Sequence, residues 1–249
     1  LTPRPRQPAV RIEILHEDED LLAVNKPAGL AVIPGRGQDS SLIEILREGD
    51  FGRELRLVHR IDVETSGVVL LARHLEAQRV MVRAFGRGEV EKEYWAIILG
   101  RPAQQSGAID ARIRPHAHRK EKMRAGGGGR PARTEWELLE SWVGYSLLRC
   151  RPLTGRRHQI RVHLAHVGLP LAVDPLYGSS EGIYLSQLKP GYRRSRTHPE
   201  YPLIGRVSLH ARSVRLVHPG TRAPFSAIAE PPKDFRATIN QLRRLVDAE

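Results

Sequence analysis

The chain has 249 residues, enough for one full hydrophobic core, and 40 Lys+Arg against 28 Asp+Glu give it a formal net charge of +12 and a pI near 10.5. That surplus suits a polyanionic partner, nucleic acid before an anionic membrane surface, while an aromatic content of 5% argues against a sheet of stacking platforms for single strands. One cysteine, Cys150, excludes an intrachain disulfide and a cysteine-based zinc cluster and favours a reducing, cytoplasmic setting; no apolar run is long enough to span a bilayer.

Residues 1–10 carry Arg4 and Arg6 among prolines and lack the apolar core of a signal peptide, so they read as a flexible arm before a single domain over 11–249. Ile12–Leu15 and Leu21–Val24 are short strand candidates, with Glu17-Asp18-Glu19-Asp20 as an acidic turn between them. Lys26-Pro27-Ala28-Gly29 breaks the second strand and reads as a structural turn. Ser40 or Ser41 caps a short helix through Leu46. In His59-Arg60-Ile61-Asp62-Val63-Glu64-Thr65-Ser66-Gly67, turn chemistry precedes the apolar strand Val68–Ala72. Asp62 therefore sits on a tight connection beside a rigid element; the plainer reading is that it only caps the turn. Ala77, Val80, Met81, Ala84 and Phe85 give one buried face to a helix over Glu76–Phe85, ended by Gly86 and Gly88. Lys92–Leu99 reads as a strand.

The stretch 114–134 is densely basic, with Arg119, Lys120, Lys122, Arg124 and Arg130 around Gly126-Gly127-Gly128-Gly129. We read it as a hairpin with the glycines at a mobile tip, a finger whose cations contact phosphates when it orders on RNA. Glu135–Glu140 and Tyr145–Cys150 are strands. After Leu153-Thr154-Gly155, Ile160, Leu164 and Val167 share one face at helical spacing, and Arg157 and Arg161 lie one turn apart on another. His158, His163 and His166 are spaced by five and three with no acidic or cysteine ligand between them, so no metal site is expected. Asp174 is a second carboxylate candidate, although Pro175 behind it suggests a structural turn. Phe235, Ile239, Leu242 and Leu245 or Val246 line a terminal helix.

These motifs carry a resemblance. His59-Arg60-Ile61-Asp62, then Thr65-Ser66-Gly67 and an apolar strand, resembles the catalytic motif of RluA-type pseudouridine synthases, with Ile61 where the family has Leu. Asn25-Lys26-Pro27-Ala28-Gly29, Lys92-x-Tyr94, Thr154-Gly155-Arg156 with His158-Gln159-Ile160-Arg161-Val162-His163, and Asp174 with Tyr177-Gly178 extend it from about Ile14 to Phe235. Val173 replaces a common family glycine, and 179–205, with Lys189, Arg193, Arg194 and Arg196, looks like a variable insertion. The resemblance implies an α+β fold, a mostly antiparallel mixed sheet with packed helices and a central cleft. It implies an isomerase that converts uridine in rRNA or tRNA to pseudouridine without cofactor or metal, by attack on the ribose or through a glycal. Asp62, Tyr94 and Arg161 would be catalytic. Arg60 would fill the space vacated by the flipped base, and His59, Thr65, Arg156, His158 and Leu209 would contact the substrate. The ten residues before the first strand are too few for the S4-type domain that often precedes this one, so RNA capture is expected from the catalytic domain itself, acting as a monomer without an obligatory protein partner.

The alternative is a non-catalytic RNA-binding or ribosome-assembly factor on the same scaffold. A pure binder has no need of a carboxylate facing an anionic ligand, and Asp62, Tyr94 and Arg161 are all present. A serine hydrolase around Ser66 fails for want of a Gly-x-Ser-x-Gly elbow.

Overall fold

The computed structural model describes residues 11–35, 40–49, 51–189, 191–193, 195 and 197–246; the expected N-terminal arm, Arg194, Arg196 and the side chains of residues 245 and 246 lie outside the described residues. In chain order the elements are β1 (Glu13–Glu17), β2 (Leu21–Lys26), α1 (Leu42–Glu48), β3 (Arg56–Leu57), β4 (Ser66–Ala72), α2 (Leu75–Arg87) and β5 (Glu91–Leu99). Then come β6 (Ser106–Asp110), β7 (Ile113–Pro115), β8 (Met123–Ala125), β9 (Arg133–Trp142), β10 (Tyr145–Pro152) and α3 (Gln159–His166). The chain continues with α4 (Leu185–Leu188), β11 (Leu209–Val217), β12 (Pro224–Ile228) and α5 (Lys233–Val246).

Strand β4 is buried along its whole length, which is why its sequence is continuously apolar rather than alternating. Successive side chains point to opposite faces. Val68, Leu70 and Ala72 meet Ala77 and Met81 of α2, and Val69 and Leu71 meet Leu42, Ile43 and Leu46 of α1 together with Ile61. Around β4 runs the order β1-β2-β4-β11-β5-β10-β9-β6, with β12 beside β11 and β3 beside β4. The β4–β11 pairing is parallel and the other strand pairs are antiparallel. This is the mostly antiparallel mixed sheet of the sequence reading.

The C-terminal half repeats the two-sided arrangement. Ala96, Ile98, Leu148 and Cys150 cover Ile160 and Leu164 of α3. Ile97 and Leu147 pack with Phe235, Ile239 and Leu242 of α5, each such side chain contributing about 1.5–3 kcal/mol. The insertion joins this second cluster through Ile183 and Ile204, which also bridge to each other. Gly67 lets the halves meet. Its φ is +116°, and a Cβ there would fall 2.1 Å from the Ala211 carbonyl oxygen of β11.

Three expectations need correction. Helix α2 passes through Gly86 to Arg87, and it is Gly88, in the left-handed region, that caps it. Helix α3 begins only at Gln159, so Thr154–His158 is a loop, Arg157 is not on a helical face, and Val167 is a half-exposed C-cap rather than core. The basic hairpin exists, but its tip is 116–122, between β7 and β8. The glycine run follows β8 and folds back against β7: the Gly126 amide donates to the Arg112 carbonyl at 2.8 Å, and a Cβ on Gly129 would lie 2.4 Å from the Ile113 backbone. Close backbone approach at Gly129 and positive φ angles at Gly126 and Gly128, rather than a free tip, call for glycine there.

Candidate active site

Asp62 lies on the connection into β4, and the main chain on both sides of it is fixed. The Thr65 amide donates to the Asp62 carbonyl at 3.1 Å, closing the turn, and Ile61 is buried among the α1 contacts. The fully buried Lys26 Nζ donates to the carbonyls of Pro27, Leu30 and Val63 at 2.8, 2.7 and 2.9 Å. Burial pushes its pKa down to about 7 against the opposing charge of Glu64. Three acceptors nevertheless match the three donors of the ammonium form. The Lys26–Gly29 turn is thus a buttress, clamped to the residue after Asp62.

Arg161 reaches Asp62 from α3. Its Nη1 donates to Asp62 Oδ2 at 3.1 Å, while its Nε and Nη2 make a two-pronged contact with Asp174 at 2.8 Å each. Both Arg161 and Asp174 are buried. Burial alone would discourage the guanidinium charge, but the hydrogen bonds to Asp174 and the two carboxylates more than offset it and push the pKa up. Asp174 Oδ1 also accepts from the Leu176 and Tyr177 amides at 2.9 and 3.2 Å. It is therefore both the turn residue expected from Asp-Pro and the anchor that aims Arg161.

His158 Nε2 stands 3.9 Å from the same Oδ2 of Asp62. Two groups address this one oxygen, while Asp62 itself lines the cleft. His158 itself is a non-glycine residue at φ 56°, a backbone state that costs energy and is found disproportionately at functional sites. Tyr94, on β5, is half-buried; burial, and then the charge of Asp62, raise its phenol well above the ordinary range, so it stays protonated.

All nine residues expected at the substrate, from His59 and Arg60 through Asp62, Thr65, Tyr94, Arg156, His158 and Arg161 to Leu209, line one cleft of about 690 Å³ between α2 and α3. A second lobe of about 480 Å³ opens on the other side of Asp62, lined by Val32, Ile33, Pro175, Leu176 and Val207. Volumes of this order hold a nucleotide-sized ligand. Arg60 is exposed at the junction of the two lobes. Thr65 Oγ1 is buried without a hydrogen-bond partner among the described residues, a group whose burial is costly unless something comes to meet it. His59 differs in character. Its Nε2 accepts from the Leu70 amide at 2.9 Å and its ring stacks on Phe85, so most of its bonding is spent inside the fold. Arg156 donates to the Pro131 carbonyl at 3.1 Å from the cleft wall.

The hairpin cations stand outside this lining. Arg119, Lys120, Arg124 and Arg130 are exposed, with Arg119 paired to Glu121, and Lys122 lies over the Tyr177 ring at 5.3 Å from its centroid. Arg157 holds the hairpin tip by donating to the carbonyls of Lys120 and Glu121 at 3.2 and 2.9 Å.

Among the described residues, His16, Asp18 and His218 bring metal-type ligand atoms within 4.8 Å of one another. His218 Nδ1 faces the Gly220 and Thr221 amides, so the proton is on Nε2 and is donated to Asp18 at 2.9 Å. The group is a hydrogen-bonded clasp, and it does not line the cleft.

Sequence reasoning offered Asp174 as a second carboxylate candidate but favoured a turn role for it, read Lys26–Gly29 as a structural turn, and gave Tyr177 no site role. The Asp-Pro turn hid Asp174, because nothing in a linear pattern says that a turn carboxylate will face an arginine thirteen residues earlier. Lys26 offered a signal, a lysine leading into Pro-x-Gly at the end of an otherwise buried strand.

The model of the family described as RNA pseudouridylate synthase matches residues 20–166. The chain is 35% identical over 239 residues to ribosomal large subunit pseudouridine synthase D of Xanthomonas campestris, covering 94% of this chain and 70% of that one. It is 35% identical over 240 residues to the protein of the same name from Pseudomonas aeruginosa, covering 94% and 73%. The solved structure of human RNA pseudouridylate synthase domain containing 4 is similar with a TM-score of 0.71 and 27% identity, covering 93% of each chain.

Proposed function

The chain belongs to the RNA pseudouridylate synthase family, isomerases acting on RNA, and from that premise we propose that it converts uridine in large-subunit ribosomal RNA to pseudouridine with Asp62 as the reacting carboxylate. The observation that carries this reading is the Asp62–Arg161–Asp174 array. A carboxylate at the junction of two nucleotide-sized lobes is held through Oδ2 by an arginine that is itself locked, with Oδ1 left for the substrate. The ribosomal substrate follows from the names of the relatives at 35% identity.

The reaction breaks the bond from ribose C1′ to N1 of uracil and forms one from C1′ to C5. The product has the same composition as uridine, because the proton lost from C5 is balanced by one gained at N1, and no net oxidation or reduction occurs, so one carboxylate suffices without a cofactor. Oδ1 either attacks C1′ and is later displaced by C5, or takes a ribose proton and returns it. In both routes the C5 proton is lost at the end. The uridine must first leave its stack, at a cost of a few kcal/mol. Exposed Arg60 at the junction is placed to fill the gap, Tyr94 and Leu209 to pack the flipped base, and Thr65 Oγ1 to meet it with a hydrogen bond. Lys92, Arg156 and Arg157 add positive charge along the rim.

The test is tritium release from 5-tritiated ribosomal RNA under single-turnover conditions, with sites mapped by carbodiimide-dependent primer extension. Asp62→Asn should abolish release while RNA binding stays within about threefold of wild type. Release by the variant within tenfold of wild type refutes Asp62 as the reacting group.

A further inference from the structure

We propose that Tyr177 is a positioning residue that fixes the tautomer of His158 and thereby links the basic hairpin to Asp62. The inference rests on the reading of Asp62 as the reacting carboxylate, but its structural half can be tested without any reaction.

Hydrogen-bond direction carries the argument. The Met123 amide, at the start of β8 in the hairpin, lies 2.6 Å from the Tyr177 hydroxyl, and a backbone N–H can only donate. The phenol oxygen therefore accepts, and its own proton is free for another partner. His158 Nδ1 is 2.9 Å away. The phenol keeps that proton at neutral pH, because burial raises its pKa. His158 Nδ1 is the one other hydrogen-bond partner of this hydroxyl among the described residues, so the phenol proton is donated to it and Nδ1 is the unprotonated nitrogen. Burial holds this imidazole neutral, pushing its pKa down to about 4 against the charge of Asp62, with Arg161 and Arg157 reinforcing the fall. A neutral ring with Nδ1 bare carries its one proton on Nε2, the atom 3.9 Å from Asp62 Oδ2.

The chain of donors thus runs from Met123 N–H to Tyr177 Oη, from Tyr177 O–H to His158 Nδ1, and from His158 Nε2–H towards the carboxylate. A closure of about 1 Å makes the last step a hydrogen bond. With Arg161 on the same oxygen, a second donor at Oδ2 fixes which oxygen is offered to the ribose. The other tautomer would aim a lone pair at the carboxylate and repel it.

The same tyrosine ties this relay to the RNA-facing hairpin. Arg161 and Lys122 both lie over its ring, each 5.3 Å from the centroid, and Arg157, next to His158, latches the hairpin carbonyls of Lys120 and Glu121. Engagement of the hairpin and placement of the His158 proton are parts of one connected unit.

Tyr177→Phe removes the hydroxyl and keeps the ring beneath its two cations. In full-length protein labelled with nitrogen-15 histidine, long-range proton–nitrogen correlation should show His158 as the Nε2–H form, its signals identified by their loss in His158→Gln. In Tyr177→Phe the same ring should show at least partial Nδ1–H character. The single-turnover rate should fall about tenfold or more with RNA affinity within threefold.

Glutamine places an amide N–H near the position of imidazole Nε2 and has no tautomer to set. His158→Gln should therefore stay within about tenfold of wild type, and adding Tyr177→Phe to it should cost less than threefold more. His158→Asn, whose side chain is too short to reach, should be slower than His158→Gln even though asparagine suits φ 56° better. An unchanged Nε2–H tautomer in Tyr177→Phe overturns the proposal. So does an equal loss from Tyr177→Phe in the wild-type and His158→Gln backgrounds, which would make the tyrosine a packing peg. If wild type releases no tritium from ribosomal RNA, the substrate reading fails, while the tautomer measurement still decides this one.

Discussion

Asp174→Asn gives the sharpest test of how the site is held, because the change alters charge and donor pattern but barely alters shape. Asp174 accepts four hydrogen bonds, two from Arg161 and one each from the Leu176 and Tyr177 amides. An asparagine keeps most of these bonds with its oxygen at the Oδ1 position, where Arg161 Nη2 and the two amides donate, so its NH2 must face the Arg161 Nε–H. One charge-assisted bond is lost, and the other no longer ends on a charge. Removing the charge of one partner of a buried ion pair costs about 3–5 kcal/mol. For a domain of this size, about 2–4 °C per kcal/mol puts the fall in melting temperature at about 6–20 °C. The assay is thermal unfolding by near-ultraviolet circular dichroism, with urea midpoints as a check. Activity should fall too, because Arg161 then swings with Asp62 alone. A melting temperature within 3 °C of wild type would refute the claim that Asp174 anchors the array. In the double variant Arg161→Leu/Asp174→Leu, which removes both charges, the loss should be smaller than the sum of the single Leu variants.

Gly67→Ala should cost about 3 kcal/mol or more and lower activity with it, since relief of a 2.1 Å contact with the Ala211 carbonyl must part β4 from β11; urea unfolding measures this. Replacing the exposed Arg119, Lys120 and Arg124 with serine should flatten the salt dependence of RNA binding by about 0.7 log units per lost phosphate contact while sparing the single-turnover rate at saturating enzyme; filter binding at several salt concentrations reads the slope. His59 and His210 are neutral because burial depresses their pKa values to about 3 and about 4. Their folded values lie below 6.5, so the stability they confer is present above pH 6.5 and is lost as pH falls towards 4, at up to about 1.4 kcal/mol per pH unit for each. Urea midpoints at pH 7.5, 6 and 5 should track this, and His210→Asn should flatten the decline.

How far the linear pattern reached follows from what each feature depends on. The buried strand Val68–Ala72, the capped helix after Ser41 and the paired strands ending at Cys150 depend on periodicity and local turn chemistry, and they appear where expected. The tight connection under Asp62 was legible for the same reason, and the motifs around it brought Tyr94, Arg161 and Leu209 into one cleft. Boundaries set by backbone strain were not legible: His158 adopts a left-handed conformation that a histidine in a helical pattern conceals, and so α3 starts late. The four glycines looked like a free tip, but Gly129 is packed against the Ile113 backbone and Gly126 and Gly128 hold positive φ angles, demands that only the fold sets. Asp174, Lys26 and Tyr177 act on the site through Arg161, Val63, Met123 and His158, each 13 or more residues away in the chain. A side chain's type is written in the sequence. Which oxygen of a carboxylate it meets, and which nitrogen keeps a proton, depends on contacts between distant segments, and those exist only once β4, β11 and α3 have packed together.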